Sequence, residues 1–449
     1  MKLLGASFFF AKGGGDAGRA EKFVTSVAIQ LASSVPHLYK HICAAVKEYT
    51  ASQSLRDQWN QLVIHPLSKL DGNDYHSSYI LVVDALDECD GDTNIQIILQ
   101  LLSETRLLQR VRLRVFLTSR PEIPIRYGFN QIPDTERLDF ILHSISSSIV
   151  DHDIYTFLEY NLRLIGQEDE LDPDWPGVEA IRRLAKTASG LFIWAATACR
   201  FIREGLSANK RLHMLLEGGN DPSTPAGHLD KIYITVLRNC IKPSYNEQER
   251  QSLYSMLKVV LGSIIVLFSP LSTISLSILL HTTKQQVDQT LKNIHAILEI
   301  PKDQTSLLHL HHPSFRDFLL DSNRCRDTSF HVNEKEAHNT LAAKCIQIMS
   351  ESLKQDICGL NTPGICVTDI ESNQVKRNLP PELQYACLYW IQHLQKSGAQ
   401  LYDNHPVHQF LRGHLLHWLE ALGWMQKVSE GIHAIVSLES IAAVSQLSA

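Results

Sequence analysis

The chain has 449 residues and 44% apolar content, more than a single hydrophobic core usually serves, so it is expected to be globular and to divide into two to four domains. A formal net charge of −6 and a pI near 6.4 leave no electrostatic footprint for nucleic acid or for an anionic membrane surface. The 9 cysteines are scattered singly without a Cys-x-x-Cys pair, which argues against a disulfide framework and for a reduced, cytoplasmic protein.

Met1-Lys2 followed by an apolar run has the outward form of a secretory signal, but the run is short and the cysteine pattern favours a buried strand over residues 6–11. Lys12-Gly-Gly-Gly-Asp16 then reads as the loop behind that strand. Helical spacing follows over about residues 20–33, from His37 and from Ser54. Residues 79–90, Tyr-Ile-Leu-Val-Val-Asp-Ala-Leu-Asp-Glu-Cys-Asp, run from a continuous apolar segment into a knot of acids. Such a run fits a strand buried on both faces of a parallel sheet, with Asp84, Asp87 and Glu88 at its carboxyl end. In open α/β sheets ligands bind at that end, and hard oxygen ligands there suit Mg²⁺ carrying a phosphate. An amphipathic helix through Ile97, Ile98, Leu101 and Leu102 leads to a second strand, which ends in Thr118-Ser119-Arg120-Pro121. A short helical crossover implies parallel strands, so Ser119 and Arg120 emerge at the edge that carries the acids. A further strand is expected over residues 137–142.

Helical patterns dominate after Asp151, over residues 153–164, 178–189 and 191–202. Residues 217–227, rich in Gly, Pro, Asn and Ser, form the best linker. Beyond it, Val287, Leu291, Ile294, Ile297 and Leu298 fall on a helix, and the alternation from Leu307 to Phe315 suggests a hairpin wing turning at Asp303-Gln304. The tail from Glu334 is helical, with Leu383, Cys387, Trp390 and Leu394 on one face and Leu411, Leu415, Trp418 and Leu422 on another. The histidines at 393, 405, 408, 414 and 417 lack acidic partners and read as structural. The apolar runs at 190–198 and 259–271 are too short and interrupted to span a bilayer, so no membrane segment is expected.

A strand ending in Asp-x-x-Asp-Glu, followed by one ending in Thr-Ser-Arg-Pro, resembles the nucleotide-binding core of NACHT-type signal-transduction (STAND) NTPases. More narrowly, the ordered phrases at Gly5-Ala-Ser-Phe-Phe-Phe10, residues 81–90, residues 117–122, Gly190-Leu-Phe-Ile-Trp-Ala195 and His312-Pro-Ser-Phe-Arg-Asp-Phe-Leu319 resemble fungal NLR-like proteins of the heterokaryon-incompatibility type. The resemblance implies an α/β fold that becomes mostly α. It comprises a partial P-loop-type parallel core at 1–150, a helical arm with linker at 151–227, a winged-helix-like domain at 228–333 and a helical tail at 334–449. By the same resemblance Asp84 would be the Walker B acid holding Mg²⁺, Asp87 or Glu88 would orient the hydrolytic water, and Arg120 would sense the γ-phosphate. His312 would touch the β-phosphate of ADP, or else be a wing residue bonded to backbone.

The implied cofactors are ATP or ADP with Mg²⁺. Yet the chain contains no Gly-x-x-x-x-Gly-Lys-Ser/Thr phosphate cradle, and the glycine loop at 12–16 is followed by no Gly-Lys-Ser/Thr and carries Asp16, which would repel phosphate. The strand before that cradle would lie between the Thr-Ser-Arg strand and residues 137–142, so the core is expected to be incomplete, through truncation or degeneration. The expectation is a nucleotide-gated signalling and oligomerisation switch with little or no ATP hydrolysis, associating with itself or with other NLR-like proteins. The alternatives are a nucleotide-independent scaffold, and a winged-helix nucleic-acid binder whose reading helix carries Lys284 and Lys292 but also Asp288.

Overall fold

The computed structural model describes residues 4–35, 37–48, 54–70, 78–108, 111–205, 207–217, 224–301, 303, 305–360, 372–402 and 405–447. They form two compact units, Met1–Phe140 and Ile141–Ala449.

In the first unit β1 (Leu4–Phe9) leads through a glycine-rich turn to α1 (Ala20–Ser34), then α2 (Leu38–Glu48) and α3 (Leu55–Trp59). A π-helical turn at Asn60–Ile64 joins α3 to α4 (His65–Ser68). Pro66 has no N–H to donate to the preceding turn, and the helical ladder adjusts just before it. β2 (Ser78–Asp84), α5 (Asp92–Glu104) and β3 (Arg112–Leu117) form the β-α-β unit expected from the sequence, and α6 (Ile123–Asn130) follows. The sheet is parallel in the order β1-β2-β3, with Phe9 opposite Asp84 and Val83 opposite Leu117. Its core gathers Phe8, Phe23 and Trp59, with ring centroids 5.4 and 5.9 Å apart along that series. Gly128 lets α6 approach α5 closely, since a Cβ there would lie 2.4 Å from Leu99.

Two expectations are corrected. Burial in β2 alternates, with Leu81 and Val83 buried and Ile80 and Val82 only half-buried, so the apolar run has one well-covered face. Phe116, paired with Val82, is 61% exposed. Residues 137–142 form no strand. A strand exists through its ladder, and among the described residues β3 pairs only with β2. Arg137 is tied instead to the Phe129 carbonyl, Asp134 and Asp139, while Leu138 is 98% exposed.

The second unit is almost entirely helical: α7 (Ser147–Glu168), α8 (Val178–Ala188), α9 (Phe192–Arg203), α10 (Ala208–Glu217), α11 (Pro225–Asn239), α12 (Glu247–Val266), α13 (Thr273–Leu279) and α14 (Lys284–Leu291). A short antiparallel pair, β4 (Leu298–Glu299) with β5 (His309–Leu310), follows. Then come α15 (Ser314–Leu320), α16 (Glu334–Ser352), α17 (Ser372–Asn378), α18 (Pro381–Ser397), α19 (Pro406–Trp424) and α20 (Val428–Leu447). Caps set several of these starts. Capping boxes at Asn246/Glu249 and Thr283/Gln286 open α12 and α14.

Of the linker expected at 217–227, residues 218–223 lie outside the described residues. Pro225 to Gly227 belong to the first turn of α11, because Thr224 accepts the Gly227 N–H and Pro225 has no N–H to lose. The helix expected through Leu298 stops at Leu291, and Ile294, Ile297 and Leu298 are buried from turns and from β4. At the expected hairpin turn Asp303 accepts from Thr305 and Ser306, while Gln304 lies outside the described residues. One core runs from Ile154 to Leu438. Every described cysteine is free, and no described helix is long and apolar enough to cross a membrane.

Candidate functional site at the sheet edge

At the carboxyl end of β2 the chain turns through Ala85, which adopts the left-handed conformation at φ 54° and ψ 48°. A non-glycine residue there costs about 1 kcal/mol, so the turn needs outside support. Thr118, just past β3, supplies it. The Ala85 N–H donates to Thr118 Oγ1 at 2.9 Å, the Leu86 N–H donates to the Thr118 carbonyl at 3.1 Å, and the Thr118 N–H donates to the Val83 carbonyl at 3.0 Å. The Thr118 hydroxyl in turn donates to Asp84 Oδ1 at 2.5 Å.

Asp87 and Glu88 follow on a short 3-10 turn, Leu86–Glu88. Asp87 Oδ1 accepts from the Arg120 N–H at 2.9 Å and from Ser119 Oγ at 3.2 Å, and Arg120 Nε lies 3.5 Å from Asp87 Oδ2. Glu88 Oε2 accepts from the Lys12 N–H at 3.1 Å, and the Asp90 N–H donates to the Gly18 carbonyl at 2.9 Å. The glycine-rich turn after β1 is thereby tied to the acidic turn after β2. Cys89 is inert as a nucleophile here, since burial and then the neighbouring Asp90 push its thiol up to about 12.

Asp84, Asp87, Glu88 and Arg120 are thus brought together on one sheet edge, as the β-α-β reading implies. The bonds also divide their tasks. Asp87, with its side chain only 5% exposed, braces the loop after β3 through both of its oxygens. Asp87→Ala should therefore lower the stability of the first unit by about 2 kcal/mol, by stranding the Arg120 N–H, while the Ser119 hydroxyl still reaches the Arg120 carbonyl at 3.0 Å. Asp87→Asn, which keeps an Oδ1 acceptor, should cost clearly less in the same urea-unfolding series. Equal losses in the two variants would contradict the brace.

His312 lies in the second unit, half-buried. Its Nδ1 is 2.7 Å from Ser314 Oγ and accepts the Ser314 N–H at 3.2 Å, and Ser314 Oγ is 2.8 Å from the Tyr233 hydroxyl. Two clefts of about 370 Å³ in this unit, one lined by Lys258, His331 and Glu336 and the other by Lys284, Lys292 and His295, include none of the five residues singled out from sequence.

No three His, Cys, Asp or Glu side chains converge to hold a metal by themselves among the described residues. The edge fits the way Mg²⁺ is usually held, by one or two carboxylates with phosphate oxygens and water. Asp84 offers Oδ2 for this, since the Thr118 hydrogen bond occupies Oδ1. Sequence reasoning missed Thr118 as a structural partner of Asp84. Its signal was a hydroxyl residue at the end of an adjacent parallel strand.

Fold and edge together define a parallel α/β unit whose strand ends gather acids beside a Thr-Ser-Arg turn. Residues 2–120, which contain this whole assembly, match the family model described as Nephrocystin 3, N-terminal. The chain is also 25% identical over 391 residues to Vegetative incompatibility protein HET-E-1 of Podospora anserina, an alignment covering 80% of this chain and 26% of that protein. The chain therefore spans about a quarter of that relative's length. Both likenesses support placing it among fungal NACHT-type proteins.

Proposed function

We propose that the chain is an NLR-like NACHT module, a nucleotide-gated signalling and oligomerisation switch of fungal non-self recognition or incompatibility, with little or no ATP hydrolysis. The observation that carries this reading is Asp84 held at the carboxyl edge of the sheet with one oxygen still open to a cation. In this reading Asp84 holds Mg²⁺ through water, which neutralises phosphate charge, and Arg120 senses the terminal phosphate. Asp87 or Glu88 orients the hydrolytic water, and His312 touches the β-phosphate of ADP. The divisions at 1–150, 151–227, 228–333 and 334–449, including a winged-helix-like domain, belong to the same proposal. So does association with its own copies or with other NLR-like proteins.

Titration calorimetry with ADP and ATP tests it. A Mg²⁺-dependent micromolar signal that disappears in Asp84→Ala is expected. A folded chain giving no heat with either nucleotide would sink the switch and leave the scaffold reading. One observation favours that scaffold: Asp87 and Glu88 are already committed to neighbouring loops. The nucleic-acid reading loses ground, because Lys284 is paired with Asp288 and offers phosphate little free charge.

A further inference from the structure

We propose that Thr118 is the positioning residue for Asp84, fixing its carboxylate so that Oδ2 is the oxygen presented to a divalent cation. The inference deepens the switch reading and rests on it. Its basis is the proton count of one hydroxyl. Thr118 Oγ1 accepts the Ala85 N–H at 2.9 Å and has a single proton to give. Its other partner is Asp84 Oδ1, an acceptor at 2.5 Å, so that proton goes to the carboxylate.

The same side chain thus holds the left-handed turn at Ala85 and orients the acid one residue before it. The Thr118 main chain is locked as well, since its N–H and carbonyl bond to Val83 and Leu86 and extend the β2–β3 pairing past the end of the strands. The backbone that carries the hydroxyl is therefore fixed beside Asp84, and a rotamer change that moved the hydroxyl away would also give up the Ala85 N–H. Serine could reproduce both hydrogen bonds. Valine, equal in shape, could make neither.

Mn²⁺ binding to the full chain at a fixed concentration of ADP, followed by the electron paramagnetic resonance of the free ion against a protein-free ADP control, tests the assignment. Wild type should show a binding component that Asp84→Asn removes. Thr118→Val should weaken that component at least roughly tenfold, the usual effect of losing a residue that orients a metal ligand. Thr118→Ser should restore it.

The double variant Ala85→Gly/Thr118→Val separates turn support from carboxylate orientation, because glycine adopts the left-handed turn unaided. It should remain weak, and it decides the matter if Thr118→Val alone fails to fold. Wild-type Mn²⁺ affinity in Thr118→Val or in the double variant would refute the role of Thr118 while leaving the cation reading intact. Identical binding by wild type and Asp84→Asn would instead remove the cation reading, and the proposal with it.

Discussion

His393→Phe is expected to destabilise the second unit by about 3 kcal/mol, because His393 is the middle link of a buried chain of hydrogen bonds. The Phe268 N–H donates to the Tyr385 hydroxyl at 3.2 Å, and that hydroxyl lies 2.6 Å from His393 Nε2. His393 Nδ1 is 2.7 Å from His338 Nδ1, and His338 Nε2 is 3.9 Å from Glu334. With the phenol oxygen accepting from backbone, its proton goes to His393 Nε2. His393 then donates from Nδ1 to His338, whose own proton sits on Nε2 facing Glu334. Phenylalanine would keep the ring packing against Phe268, now at a centroid distance of 4.7 Å, but would strand the Tyr385 hydroxyl and His338 Nδ1 in the core. A urea-unfolding midpoint unchanged in this variant would contradict the chain.

The same cluster sets an acid limit. Burial lowers His338 from 6.5 to about 4, against an opposing pull from Glu334, and drives His393 well below its usual value. Protons then bind the unfolded chain more readily than the folded one. Stability is complete above about pH 6.5 and falls as the pH drops toward 4, by roughly 3 kcal/mol from His338 alone. Urea midpoints measured across that range should decline in wild type, and the decline should be shallower in His393→Phe. A flat wild-type profile would show that the histidines do not stay neutral in the fold.

Trp390→Ala should cost about 3–5 kcal/mol, the usual range for emptying a large buried aromatic site. Trp390 is 1% exposed and meets Phe410 and Trp418 edge-on, at centroid distances of 5.5 and 5.7 Å. The two tryptophans differ in one respect that makes the expectation sharper. The Trp418 indole donates to the Cys387 carbonyl at 2.9 Å, whereas the buried Trp390 indole N–H makes no hydrogen bond. Trp418→Phe should therefore lose a hydrogen bond of about 1 kcal/mol in addition to packing, and Trp390→Phe packing alone. Thermal unfolding of the three variants should rank Trp390→Ala as the most damaging and Trp390→Phe as the mildest.

Much of this was legible in the residues. The run from Tyr79 to Val83 and the helical spacing of Ile98, Leu101 and Leu102 together encode a parallel β-α-β unit, and that topology alone delivers Asp84, Asp87, Glu88 and Arg120 to one edge. The faces of α18 and α19 followed from the 3.6-residue period, and Leu383, Cys387, Trp390 and Trp418 are all buried. Periodicity says which side of an element is covered and nothing about its partner. For that reason the segment at 137–142, following a β-α-β unit, read as a further strand, although the described residues provide no ladder for it.

By itself, then, the sequence determined local elements, the apolar stripes that build two cores, and the acids and arginine that share one edge. Only tertiary structure decided what those polar groups bond to. The partners of Asp84 and Asp87 lie 34 and 33 residues away on β3 or just beyond it, and the partner of His393 lies 55 residues away on α16. Hydrogen bonds form between atoms about 3 Å apart, and spacing along the chain carries no record of such approaches. Which acid is tied up as a brace was therefore decided only once the strands had paired.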